Sequence, residues 1–331
     1  MPLNQNVKGR INAFFSLKNF TDVITALPKP QTPMTDLLFP QGVRKLKTSP
    51  YIAVQDIENE TGAVPVVIRG SKSYSVDGGV KSANLIEVQP LSMNRVISGA
   101  ELNTLIAMGD VDGISEKLTE TVENLRDRTA VSTELLVCQS LSGKIAYPAA
   151  VEGGALDTYE VELGTVKSLS PSTLTNASSV SDLLAALEAQ FFAQQQTGAS
   201  SDVRLLTGTD VYSVILEIIT KTKNVPVQYT DYGLVLFGKY KLMPVTGSYK
   251  LPGKSAATEV VDSKSIQSID LANTGKLFYA ALDELDAKLQ PLPFFASYEE
   301  LRDPSGVKVM SSSKPLPAFA VKKSTIKKYV A

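Results

Sequence analysis

Pro50-Tyr51-Ile52-Ala53-Val54-Gln55-Asp56-Ile57 opens, and Ser140-Leu141-Ser142-Gly143-Lys144 closes, the stretch whose reading decides the fold. Tyr51 to Ile57 and Val64 to Arg69 are rich in β-formers, and Leu85 to Val88 supplies a returning strand. Gly70, Gly78 and Gly79, with Ser71, Ser73 and Asp77, read as the tip of a long hairpin between them. A two-stranded ribbon of this kind is marginal alone in water, and its unpaired edges want a partner. A ribbon running straight into a helix makes a poor pocket. It suits a chain that reaches a neighbouring subunit.

Downstream of the ribbon, Ser98-Gly99-Ala100-Glu101 is a capping box, which predicts a short helix stopping near Gly109. A second helix is predicted from near Asp112. It carries Ile114, Leu118, Val122, Leu125 and Leu136 along one side and turns Glu116, Glu120, Glu123 and Asp127 away. Running to about Leu141, it would span roughly 30 residues, or ~45 Å at 1.5 Å per residue. That length makes it a structural spine.

Upstream, residues 1–48 mix Phe14, Phe15 and Phe20 with Pro28, Pro30, Pro33 and Pro40, which predicts an extended arm with at most a short helix. Such an arm buries little against itself and packs on something else. Beyond the spine, Ile145 to Tyr147 and Tyr159 to Leu163 read as a second hairpin around Gly153-Gly154. An α/β unit follows. Ser179 to Asp182 caps a helix with Leu183, Leu184, Leu187 and Phe191, and Val203 to Leu206 is a buried strand. Thr209 caps a helix over Val211 to Thr220. Leu234 to Phe237, Tyr240 to Met243 and Lys276 to Leu282 are further strand candidates, the last of which also reads as helical through Leu289. Pro291, Pro293, Pro315 and Pro317 punctuate a tail whose strand candidates are Val307 to Met310 and Phe319 to Val321.

Composition excludes more than it selects. The 331 residues are 43% hydrophobic, and 33 Lys plus Arg balance 34 Asp plus Glu, so no strong field steers the chain onto nucleic acid. Histidine is absent and Cys138 is the single cysteine. That removes imidazole acid–base chemistry, nucleophile–histidine pairs, histidine or all-cysteine zinc sites and any intrachain disulfide. Gly247 to Ser255 resembles a phosphate loop, but five residues separate its glycines where four are needed and no helix follows, so it reads as a surface turn. In Gly109-Asp110-Val111-Asp112-Gly113 the two carboxylates lack the other ligands of a calcium loop, and Asp112 reads as a helix cap. The first twenty residues hold no signal-peptide apolar run, and no segment approaches the ~20 apolar residues needed to cross a bilayer. The expectation is a non-enzymatic protein without cofactor, metal or membrane, made in the cytoplasm.

The order of parts resembles the major capsid proteins of tailed bacteriophages, in particular the lambda-type family called major capsid protein E. Leu37-Leu38-Phe39-Pro40 ends the arm, and Thr48 and the Val54/Ile57 strand follow. Gly70 and Gly78-Gly79 sit in the ribbon, and Pro90, Met93, Glu101 and Leu102 match the passage out of it. Arg128-Thr129-Ala130 through Glu134, Leu141, Gly143 and Lys144 looks like the family helix ending in an ALxxGK-like turn. Arg302-Asp303-Pro304-Ser305-Gly306 and Leu316-Pro317-Ala318 resemble its closing strands.

The resemblance implies an α+β chain of the Hong Kong 97-type capsid fold. Residues 1–48 would be the arm, 49–95 the extended ribbon loop and 96–170 a peripheral domain with the spine helix. Residues 171–294 would form an axial domain, and 295–331 would return to the peripheral domain. It implies self-assembly into pentamers and hexamers that close an icosahedral shell around double-stranded DNA, in a virion assembled in the host bacterial cytoplasm. The implied partners are other copies, a scaffolding protein, a portal and a decoration protein. The alternative is a compartment shell of the same fold enclosing protein cargo. Phe14, Phe15 and Phe20 of the arm and Val64, Val66, Ile68, Arg69, Lys72 and Tyr74 of the ribbon are the candidate inter-subunit contacts. Lys322, Lys323, Lys327 and Lys328 are the candidates for facing the lumen and its DNA. Some members of this fold crosslink subunits through a Lys and an Asn, but Lys72 reads as a solvated tip charge.

Overall fold

A computed structural model describes residues 3–53, 85–107, 113–151, 155–197, 202–222 and 225–330, with backbone alone at 3–6, 17–21 and 330. Its described helices are α1 (Leu3–Phe14), α2 (Leu17–Ala26), α3 (Pro33–Leu38), α4 (Gly99–Ala107), α5 (Gly113–Ser140), α6 (Val180–Gln195) and α7 (Thr209–Lys221).

The predicted spine is α5, 28 residues long, and its apolar stripe is buried as the spacing requires. Ile114, Leu118, Val122 and Leu125 share one core with Ile11 and Phe14 of α1, with Leu102 of α4, and with Ile97, Val307 and Val309 from a neighbouring sheet. Farther along, Leu136 enters a second core with Ile145, Tyr147 and Phe278. Val137, Cys138 and Leu141 enter a third. One helix thus joins three hydrophobic cores. The turn after it needs a glycine, because Gly143 has φ +87° and a Cβ there would sit 2.2 Å from the carbonyl oxygen of Gly164.

Beside the spine lies an antiparallel sheet ordered Phe295–Arg302, Ser305–Ser313, Leu91–Ser98. In a second three-stranded sheet, Gly275–Ala280 pairs in parallel with Arg44–Lys47 and antiparallel with Pro315–Phe319. The largest sheet has seven strands in the order Lys167–Thr173, Ser324–Val330, Ser265–Asp270, Val203–Thr207, Tyr240–Pro244, Gly233–Leu236, Val227–Thr230. Leu183 and Leu187 of α6 and Ile215 and Ile218 of α7 pack on Leu205, Leu234, Leu236 and Ile266 of this sheet.

Local signals translated well. The Ser98 to Glu101 capping box forms, with the Ser98 N–H donating to Glu101 Oε2 (2.8 Å) and the Glu101 N–H to Ser98 Oγ (3.2 Å). Ser179 and Asp182 form another at the start of α6. The second hairpin pairs Lys144–Ala150 with Leu156–Glu162. Asp112 lies outside the described residues.

Three expectations are corrected. The arm is three helices, because Val7, Ile11 and Phe14 fall on one helical face and find a core beside the spine, while Pro28 and Pro30 sit between α2 and α3. Residues 283–289 form turns rather than a helix, after Gly275–Ala280 continues as a strand. The span 295–331 does not act as one return: Ser324–Val330 pairs with Ser265–Asp270 and Lys167–Thr173 inside the seven-stranded sheet. Conversely, Gly275–Ala280, placed by sequence in the axial unit, belongs to the sheet made with Arg44–Lys47.

Candidate assembly surfaces

At the two ends of the ribbon segment a short ladder sets Tyr51, Ile52 and Ala53 opposite Glu87, Ile86 and Leu85. Alternation fixes which side is anchored. Ile52 and Val88 are buried with Leu136, Ile145 and Phe278, whereas Tyr51 and Leu85 are exposed. Tyr159 adds a hydrogen bond from its hydroxyl to the Glu87 carbonyl (3.1 Å), and burial pushes this phenol up to about 12. The candidates Val64, Val66, Ile68, Arg69, Lys72 and Tyr74 lie outside the described residues.

The arm folds against its own subunit. Phe14 is buried in the core beside the spine, a correction to its expected role as a contact with a neighbour, because it completes the α1 stripe. Phe15 is half-buried, stacked on Tyr298 with ring centroids 4.8 Å apart. The side chain of Phe20 lies outside the described residues.

A carboxylate on the spine holds the end of the arm. Glu134 accepts from the Met34 N–H (2.7 Å), the Thr35 N–H (2.8 Å) and the Thr35 hydroxyl (2.6 Å), satisfying donors that the first turn of α3 leaves without intrahelical partners. Sequence reasoning missed this clamp, since it joins residues about a hundred positions apart. Arg126 donates to the carbonyls of Ile24 and Pro28, and Lys8 pairs with Glu300. Burial pushes the Asp36 carboxyl up, but hydrogen bonds and charge from Lys29 and Arg44 outweigh it and hold the group below the usual carboxylate range.

The four tail lysines do not share a face. Within Ser324–Val330, Lys327 is 6% exposed, with its ammonium 5.5 Å from the centre of the Tyr329 ring, while Lys328 is exposed. Burial lowers the Lys327 pKa. Lys327 is therefore set apart from Lys322, Lys323 and Lys328, the last of which has its ammonium 3.9 Å from Asp262.

Among the described residues, no three or more Asp, Glu or Cys come together to hold a metal, and no helix is long and apolar enough to cross a membrane. Ser248–Tyr249 and Thr258–Glu259 pair as a small hairpin around the phosphate-loop lookalike, which is a turn with Gly253 at φ +75°. Burial pushes the Cys138 thiol up to about 12, which suppresses the reactive thiolate. Apolar surface is more telling: Leu285 is 84% exposed, Tyr229 71% and Tyr232 66%.

Residues 16–328 match the family model described as phage major capsid protein E. No curated protein matches the chain. Among solved structures, a putative capsid protein of a prophage of E. coli CFT073 superposes with a TM-score of 0.62 at 13% identity, covering 95% of this chain and 98% of that one. The capsid asymmetric unit of cyanophage A-1(L) gives 0.45 at 13% identity over 92% and 94%, and a virus-like particle from Pyrococcus furiosus 0.39 at 11% over 99% and 100%. The first likeness carries the fold, α+β of the Hong Kong 97-type; the other two are too distant to carry an argument.

Proposed function

Because the chain belongs to the phage major capsid protein E family and builds capsid shells, we propose that it does so as pentamers and hexamers closing around the double-stranded DNA of a tailed phage. The observation that carries this reading is the extent of the match. Residues 16–328 include α2 and α3 of the arm, the ribbon segment, the spine and both larger sheet systems. No chemistry is required of the subunit.

The geometry supports a division of labour. The ribbon, rooted at Ile52 and Val88, extends to a neighbour and adds contacts that an isolated subunit cannot make. The seven-stranded sheet with α6 and α7 is the axial unit that meets its copies around each capsomer centre. Repeated heterologous contacts close into rings, and several modest interfaces per subunit give a stable assembly. Near-neutral charge lets many copies pack without accumulating repulsion. Lys322, Lys323 and Lys328 meet phosphate non-specifically on the lumen side. Scaffolding, portal and decoration proteins are the partners of assembly, which takes place in the host cytoplasm.

Particles purified from a producing host and treated with nuclease decide the cargo. Protected double-stranded DNA of genome length is expected. Particles that protect protein and no DNA would favour a compartment, a reading the family does not favour.

A further inference from the structure

Residues 281–291 form a loop that buries Ala281, Leu282 and Ala287 in its own subunit and turns two leucines out to solvent. Leu285 is 84% exposed and Leu289 52%. An exposed leucine alone means little. Here, however, the loop that displays them is held firmly. Ala281 bridges to Pro291, the Lys288 N–H donates to the Leu285 carbonyl (2.8 Å), and the Leu289 N–H donates to the Glu284 carbonyl (3.1 Å). At its root, Asp283 pairs with Lys314, whose side chain is only 4% exposed. Lys288 and Leu289 both lie in the left-handed region, at φ 53° and 55°, where side chains with a Cβ are disfavoured. Strain and rigidity together present an apolar knob to solvent.

The same loop forms one rim of an apolar groove of about 660 Å³. Asp286, Ala287 and Lys288 line that rim, Ile24 of α2 and Phe15 line the arm side, and Phe294 lines the floor. Leu285 and Leu289 are not among the residues that line it. A knob and a groove placed side by side on one chain cannot satisfy each other, but two copies related by a symmetry axis near the loop can exchange them.

We propose that the Leu285 loop of one subunit seats in the groove between the arm and Phe294 of a neighbouring subunit. The inference rests on the shell-forming reading and adds to it a specific contact that includes the arm. It also gives Phe15 a double duty: the ring stacks on Tyr298 of its own chain and offers its remaining surface to the incoming leucine.

Two measurements test it together. Leu285→Glu, at a position already in water, leaves the subunit folded and raises the threshold concentration for assembly roughly tenfold or more, read by light scattering. In the second, a Leu285→Cys batch and a Thr25→Cys batch are mixed before association and treated with a short bis-maleimide. Thr25 is exposed and lines the groove, and buried Cys138 does not compete. A covalent dimer that forms only in the mixture is expected. Shells without that dimer, and a Leu285→Glu variant that assembles at the same threshold, would overturn this contact while leaving the shell reading intact. Dimers from the Leu285→Cys batch alone would place knob against knob and also overturn it. A chain that stays monomeric and never crosslinks overturns both readings.

Discussion

The seven-stranded sheet and the N-terminal arm are held by polar contacts of similar kind placed in opposite surroundings. In the sheet, Gln190 donates to the Ile266 carbonyl (2.7 Å) and accepts from the Tyr329 hydroxyl (3.1 Å), and Ser268 donates to Gln194 (2.9 Å). Gln267 donates to the Leu141 carbonyl (2.8 Å) and to Ser324 Oγ (3.1 Å). These groups are buried, so water cannot replace a lost partner, and together they fix the last strand in register. In the arm, Lys8–Glu300 and Lys29–Asp36 are largely exposed, while Glu134, Arg126 and Arg44 make partly buried contacts and the Leu38 carbonyl accepts from the buried Thr274 hydroxyl. Water substitutes cheaply at the exposed pairs. The subunit therefore combines a body whose register is fixed by buried polar groups with a limb whose outer ion pairs lie in water while Ile11, Phe14, Leu38 and Phe39 anchor it in the cores.

Truncating the body should have the largest effect. Leu236→Ala, at a fully buried position, should cost about 2–5 kcal/mol, read as a lower urea midpoint with unchanged protection of the arm from protease. Next comes Gln267→Leu, which strips the partner from the Leu141 carbonyl and from Ser324; about 1–3 kcal/mol should be lost, with hydrogen exchange accelerating first in Ser324–Val330. Glu134→Ala removes the clamp on α3 and should cost about 1 kcal/mol locally, exposing residues 1–48 to protease while the urea midpoint of the body barely moves. If Glu134→Ala lowered that midpoint as much as Leu236→Ala, the distinction between body and limb would fail.

The smallest effect concerns acid. The Asp36 carboxyl titrates below its unfolded value, so its contribution is complete above the unfolded pKa and is lost as pH falls through the lower, folded one. Protease protection of the arm should thus fall on acidification below about pH 4, where an unperturbed Asp titrates, and Asp36→Asn should remove that part of the response. An arm equally protected at neutral and acid pH would assign its attachment to packing alone.

How far the sequence was legible follows the range of each interaction. Ser98 with Glu101, Ser179 with Asp182, and Ile114, Leu118, Val122 and Leu125 act within a turn or two, and they form as read. The ribbon base was legible because Ile52 and Val88 are apolar where the ladder meets the core. In the arm, the weight given to four prolines hid the spacing of Val7, Ile11 and Phe14. Pro315 and Pro317 read as punctuation, yet they occupy the edge strand of a three-stranded sheet, where a missing N–H is tolerated. Ser324–Val330 escaped notice because its partners, Ser265–Asp270 and Lys167–Thr173, are remote in sequence. In the same strand Lys327 is buried and Lys328 exposed, which no run of basic residues reveals. Glu134 at the head of α3, and the exposure of Leu285, exist only once the chain has folded.

The most direct test is negative-stain electron microscopy of the purified chain beside its light-scattering mass, with and without a candidate scaffolding protein. Closed shells, tubes or capsomer rings with masses of many subunits are predicted. A monodisperse monomer or dimer at high concentration, unchanged by scaffold, would contradict the claim that this fold exists to meet its own copies.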